Sequence, residues 1–209
     1  MKSIACDVVL LPSVELADKA ITASKQLGKY DTLFTLGEAG PYPHTSLYMT
    51  QLREDRLAEA ETLLAAIAAN TAAMTLVADR YDQAEGFIDA NYQRFSALDE
   101  LQRHVINALN PIRDGMHESA KARLSTATGL ERYNLETFGY RHVGELFRPH
   151  LTLSRFMGGN AIDTRNLPEP NTFSGLFGSL ALFEMGDSNT CVRKIAEFSL
   201  AGSVAALGR

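Results

Sequence analysis

Pro43-His44-Thr45-Ser46-Leu47 and Pro149-His150-Leu151-Thr152-Leu153 are two copies of one pattern, Pro-His-x-[Ser/Thr]-Leu, one in each half of a 209-residue chain. Read as strands, where side chains alternate between faces, His44 and Ser46 point one way while Thr45 and Leu47 point the other. His150 and Thr152 repeat the arrangement. An imidazole can move a proton, and a hydroxyl two residues on can donate to an anionic oxygen, so each copy is a small kit for phosphate chemistry. Two such kits facing each other supply a general base, a general acid and two phosphate donors. With only five histidines and seven prolines in the chain, a chance repeat is rare, and the spacing suggests duplicated half-domains. The competing reading is two ordinary strands whose histidines are exposed or hydrogen-bonded.

On these motifs the chain resembles the two-histidine phosphoesterase superfamily, which includes bacterial 2′-5′ RNA ligase-like proteins and cyclic nucleotide phosphodiesterases. The resemblance covers most of the chain: an apolar N-terminal strand, two motifs each followed by strands and helices, and a closing strand near 192–200. It implies an α+β fold of two pseudo-symmetric lobes, each a mainly antiparallel sheet with helices on its outer face and the active-site cleft between them. The whole of 1–209 is then one bilobal domain, with 201–209 a loose tail. Carried over by position, His44 and His150 are the catalytic pair and Ser46 and Thr152 bind the substrate phosphate. Thr45 departs from the pattern, an aliphatic residue being more usual there, and leaves a hydroxyl to be satisfied behind the first motif.

Composition narrows the partners. A formal net charge of −5 argues against a long grip on nucleic acid, which depends on neutralising many phosphates; a small nucleotide or short oligonucleotide fits better. Cys6 and Cys191 stand singly in apolar runs and read as buried thiols of a reducing compartment. No run approaches a membrane span and the N-terminus lacks a secretory apolar region, so no membrane partner and a cytoplasmic location are expected. No Cys pair or His-Glu-x-x-His occurs, so no metal and no cofactor is expected.

Along the chain, 3–11 reads as a buried strand, Ser13 caps a helix that runs to Gly28, and Asp31–Leu36 reads as a strand. The turn-rich 37–43 leads into the first motif, with Tyr42 a candidate cleft residue, by stacking on a base or by packing on its neighbours. Strand parity puts Tyr48 on the face of His44 and Ser46, as a cleft wall or a structural tyrosine. Residues 53–70 form an amphipathic helix. A hairpin is expected from 73–80 and 85–92, and a helix from a Ser96/Asp99 capping box to Pro111. The basic stretch 111–148 connects the halves, with a helix over Leu130–Phe138 ended by Gly139. Its charges are a solvated face or a funnel for an anion. His104, His117 and His142 read as ordinary histidines. Arg155 suits a phosphate ligand, although parity sets it opposite His150, so that it reaches the cleft only if the strand ends or twists. Residues 173–185 and 191–200 close the fold as a hairpin.

The expected activity is metal-independent hydrolysis of a 2′,3′-cyclic phosphate or a 2′-5′ linkage, one histidine acting as base and the other as acid. The near-symmetric motifs do not say which is which. Two other classes stay open: a binding module that holds a nucleotide or 2′-phosphate without turnover, and an RNA 2′-5′ ligase-type transferase.

Overall fold

The computed structural model describes residues 2–159 and 161–205. In chain order the strands are β1 (Ser3–Pro12), β2 (Thr32–Thr35), β3 (Thr45–Arg53), β4 (Ala72–Leu76), β5 (Ala78–Ala84), β6 (Phe87–Tyr92), β7 (His150–Phe156), β8 (Gly175–Met185), β9 (Cys191–Ser199) and β10 (Ala201–Ala205). The helices are α1 (Val14–Leu27), α2 (Leu57–Ala69), α3 (Ser96–Leu109), α4 (Glu118–Leu124) and α5 (Gly129–Phe138). Apart from the parallel β10–β4 pair, every strand pairing among the described residues is antiparallel. The architecture is therefore the expected α+β one.

The sheet runs β10-β4-β8-β1-β3-β7-β6-β5, with β9 also on β8 and β2 on β7. Its two halves meet at one point. β3 and β7 pair only at Thr45↔Leu151, the central residue of each motif. In one half β1 runs beside the motif strand β3; in the other, β6 runs beside the motif strand β7. The two motifs are thus antiparallel neighbours related by a local two-fold. Thr45 and Leu151 turn into the core, fully buried, so the residues flanking each must face the other way.

The core lies behind the motifs. Leu47, Leu52, Leu151 and Leu153 pack there with the apolar stripes of α1, α2 and α3. Each helix has the sequence grammar of its face. Ser13 Oγ accepts from the Leu16 amide at 3.4 Å at the start of α1, and Leu16, Ala20, Ile21 and Leu27 are buried along it. α5 ends where Gly139 takes φ +68°, a backbone conformation that favours glycine; a Cβ there would lie 3.0 Å from Arg113 Nη1 and push that side chain aside.

Four expectations need correction. The capping box at Ser96 does not form: Phe95 stands at the N-cap, and Asp99 accepts from Arg94 Nε at 3.0 Å instead. The expected strand 73–80 is two strands. β4 joins β8, and β5 makes the hairpin with β6; at the first residue of β5 the Ala78 N–H goes to Ser174 Oγ at 2.9 Å. Residues 201–205 are not a loose tail, because their backbone pairs with β4 as β10; 206–209, and Asn160 of the loop expected at 158–160, lie outside the described residues. The fourth correction, to Tyr48, belongs to the site. The hydroxyl expected to need a partner behind the first motif, Thr45 Oγ1, is buried without one among the described residues. No described helix is long and apolar enough to cross a membrane.

Candidate active site

Both motif strands carry a bulge, and at the same leucine. Val8 pairs with Tyr48 but Val9 pairs with Ser46, so Leu47 is an extra residue in β3. Ile88 pairs with Ser154 but Asp89 pairs with Thr152, so Leu153 is an extra residue in β7. A bulge resets the alternation of side chains beyond it, which overturns strict parity in both copies. Tyr48 turns into the core, fully buried, where its hydroxyl donates to Phe138 O at 2.7 Å; Met49 takes the place expected for it on the cleft wall. Arg155 is brought round to the face of His150 and lines the cleft. The carbonyl of Leu47 is not left bare: Gln102 Nε2 of α3 donates to it at 3.1 Å.

The cleft has a volume of about 360 Å³, and His44, Ser46, His150 and Thr152 all line it. Tyr42 lines it as well, with its ring against Phe183 at 5.2 Å between centroids, so one side of that ring is packed by protein. Each histidine is held the same way. His44 Nδ1 lies 2.7 Å from Tyr42 O, and His150 Nδ1 lies 2.7 Å from Arg148 O. A carbonyl only accepts, so Nδ1 carries the hydrogen and Nε2 is the working nitrogen of each ring.

Behind each pair stands a buried aspartate that sequence reasoning passed over. Ser46 Oγ donates to Asp7 Oδ2 at 2.6 Å, and His44 Nε2 is 3.7 Å from the same oxygen. Thr152 Oγ1 donates to Asp89 Oδ1 at 2.7 Å, and His150 Nε2 is 4.0 Å from Asp89 Oδ2. The only sequence signal was a carboxylate inside an apolar strand, Cys6-Asp7-Val8 and Ile88-Asp89-Ala90, where an acid is rarely buried without a purpose.

The halves differ in charge. Asp89 is met by Arg148 Nη2 at 3.0 Å. Among the described residues Asp7 has no arginine or lysine beside it, and its Oδ1 has no partner at all. Burial without a countercharge pushes Asp7 up to about 7, against the opposing pull of the Ser46 hydrogen bond. Burial likewise pushes His44 down to about 4; the Tyr42 carbonyl opposes this and the charge of His150 adds to it.

Asp7 Oδ2, His44 Nε2 and Cys191 Sγ lie within 4.8 Å of one another, a spacing a cation's ligands can have. Here it is explained by protons. Ser46 O–H and, at 4.0 Å, Cys191 S–H both point at Asp7, and burial followed by the Asp7 charge holds the thiol well above its ordinary range. Cys6 and Cys191 are both free and buried, as expected.

The basic connecting stretch supplies the far wall. Arg123, Arg141 and Arg148 line the cleft, together with His117 and His142, the two histidines read as ordinary. His117 Nδ1 lies 2.7 Å from Ser119 Oγ. His142 is pushed down to about 3, first by burial and then by Arg141 and His150. His104 sits on exposed α3 surface next to Arg103 Nη2, at 3.4 Å, outside the cleft.

The α+β sheet that seats two His-x-[Ser/Thr] pairs in one cleft has the fold of several solved structures. Escherichia coli LigT, crystallised with phosphate, aligns at a TM-score of 0.58 and 14% identity over 96% of this chain and 99% of its own. TT0787 of Thermus thermophilus aligns at 0.59 and 15% over 95% and 99%. A structure described as a phosphoesterase aligns at 0.58 and 13% over 95% and 99%. The chain itself belongs to the family described as "Protein of unknown function (DUF1045)", which matches residues 48–167. That match takes in His150, Thr152, Asp89 and the arginine wall, and begins just after Ser46. No curated protein matches the sequence.

Proposed function

We propose that the protein is a phosphodiesterase that hydrolyses a nucleotide-like 2′,3′-cyclic phosphate or 2′-5′ linkage, with His44 as general base and His150 as general acid. The observation that carries this is the pair of imidazoles fixed by 2.7 Å contacts at Nδ1, each beside a hydroxyl in one cleft, with unequal charge behind them. His44, depressed to about 4, is neutral at pH 7 and takes a proton from the attacking water through Nε2. As the new P–O bond forms and the old one breaks, His150 passes its proton to the departing ribose oxygen, and proton exchange with solvent resets both rings.

Ser46 and Thr152 stand beside the place of the non-bridging oxygens. Each hydroxyl has one hydrogen, which in the resting site goes to an aspartate. Below about pH 7, Asp7 carries its own proton and Ser46 is released to donate to the phosphate; such a donor contributes about 10²–10³ in rate. Asp89, facing Arg148, keeps the hydrogen of Thr152, and Thr152 then serves mainly to shape the site. The LigT structures that contain phosphate, ATP, NADP+ and 3′-AMP add weight to a small nucleotide partner for this fold.

The test is a substrate panel in EDTA: a 2′,3′-cyclic mononucleotide, a 2′-5′ dinucleotide, a cyclic dinucleotide and single-stranded DNA, resolved chromatographically. Turnover of at least one of the first two is expected, with DNA left intact. DNA cleavage with none of the other three consumed overturns the reading. A binding module is the second reading, favoured by the dedication of both hydroxyls to carboxylates in the resting site; it predicts saturable nucleotide binding and no product.

A further inference from the structure

The cleft holds more guanidinium N–H groups than its own carboxylates take up. A phosphodiester carries one negative charge, and the two histidine motifs already provide for it. Four arginines nevertheless line the same space, in a chain whose net charge is −5. Two of them are committed. Arg148 is bound to Asp89 at 3.0 Å and faces Asp82 at 3.6 Å. Arg123 donates to Glu131 at 2.7 Å and twice to Glu85 at 3.0 Å.

The other two are not. Arg155 makes no ion pair among the described residues; its guanidinium lies 4.4 Å over the Phe87 ring and only its Nε is used, on the Glu85 carbonyl at 3.2 Å. Arg141 reaches a carboxylate only at 3.8 Å, on the Glu131 oxygen that Arg123 already occupies at 2.7 Å, and spends its Nε on His142. Glu85, at the tip of the β5–β6 hairpin, feels the charges of Arg123, Arg141 and Arg155 together. Three guanidiniums therefore share Glu85 and Glu131, and Arg141 and Arg155, both lining the cleft, keep N–H groups that no described residue takes. A planar fork with free N–H groups is the side chain suited to bidentate capture of a phosphate.

We propose that the substrate carries a second anionic group, a phosphate monoester, apart from the scissile phosphodiester, and that Arg141 and Arg155 bind it. This rests on the phosphodiesterase reading for its chemistry but not for its binding. Three arginines on two glutamates leave one positive charge over and several N–H groups untaken, and a stacked Arg155 is already partly immobilised, so less freedom is lost on binding.

Two readouts separate the two claims. For turnover, kcat/KM is compared between a nucleoside 2′,3′-cyclic phosphate and the same compound bearing a 5′-phosphate. For binding, calorimetry compares a nucleoside 3′-monophosphate with the 3′,5′-bisphosphate. The doubly phosphorylated compound is expected to win by about tenfold or more in each, the scale of one charge-assisted contact. Arg155→Ala and Arg141→Ala should each erase most of that ratio and Arg155→Lys should restore part of it. Arg132→Ala, an exposed arginine paired with Glu136, should leave it unchanged. Equal affinity for the two binding probes, or a preference that survives both alanine variants or falls equally in Arg132→Ala, overturns the second-anion site. If neither cyclic compound is turned over but the bisphosphate preference holds and depends on Arg141 and Arg155, the site stands and the phosphodiesterase reading fails.

Discussion

The two half-sites share a geometry and differ in charge. In each, a bulged motif strand lies beside a strand that carries a buried aspartate; a hydroxyl donates to that aspartate at 2.6 or 2.7 Å, and a carbonyl two residues before the histidine holds its Nδ1 at 2.7 Å. The one group without a counterpart is Arg148. Its guanidinium meets Asp89 at 3.0 Å, while Asp7 lies by Val9, Ala181, Phe183 and Cys191 with the neutral ring of His44 and no described arginine or lysine beside it. A duplicated scaffold places two acid/base groups symmetrically, and a reaction that needs one group charged and one neutral must break that symmetry. One arginine does so here, by pairing with one aspartate and leaving its twin to burial.

The largest effect expected from this comparison is at the histidines. His44→Ala and His150→Ala should each lower kcat by about 10²–10⁴ on the best cyclic substrate, and the double variant should fall little further, because acid and base act in one step. Additive losses in a rate assay would mean that the two rings act independently. Next come the hydroxyls. Ser46→Ala should cost about 10²-fold, as for the loss of one preorganised donor, and Thr152→Val clearly less; the reverse order would remove the distinction drawn between the aspartates.

The aspartates themselves sharpen it further. Asparagine imitates a protonated carboxyl, so Asp7→Asn should keep activity within about tenfold, whereas Asp89→Asn removes the nearer of the two carboxylates on Arg148 and leaves only Asp82 at 3.6 Å, so it should lose more. Asp7→Asn has a second signature, in stability. The folded value of Asp7, about 7, lies above its ordinary 3.8, so the native state binds more protons than the unfolded one between those limits. The stability this contributes is full below about pH 3.8 and is lost as pH rises to about 7. Urea titrations at pH 4 and pH 7 should therefore find Asp7→Asn gaining on wild type at the higher pH; a constant difference contradicts the protonated Asp7. The smallest effect concerns the bulge. Gln102→Leu leaves the carbonyls of Leu47 and His142 without their donor and should cost about 1–3 kcal/mol in the same titrations.

Much of this was legible in the sequence because it depends on local order. The duplicated Pro-His-x-[Ser/Thr]-Leu marked the four motif residues, helical spacing marked α1, α2 and α3, and Gly139 marked the end of α5. What was missed depends on pairing. A bulge is a property of two strands in register, so nothing in Leu47 or Leu153 alone announced that Met49 and Arg155, rather than Tyr48, would reach the cleft. Asp7 and Asp89 were visible as acids in apolar strands but had no assigned partner until β1 met β3 and β6 met β7. His117 and His142 lie in the least regular stretch, and only its folding over the cleft gives them a place there. The strand β10 is short and small-residued, and it exists through its backbone bonds to β4.

The division of base and acid turns on the state of one ring, and titration of the histidine side chains by nitrogen-15 NMR reads that state directly. Asp7 and Cys191 face His44 across the half-site, His150 shares its cleft, and the Tyr42 carbonyl holds its Nδ1. The prediction is that His44 keeps a neutral ring with hydrogen on Nδ1 from pH 7 down to about 4. Protonation of His44 near its ordinary value of about 6.5, with His150 the ring that resists, would reverse the roles of base and acid and contradict the account.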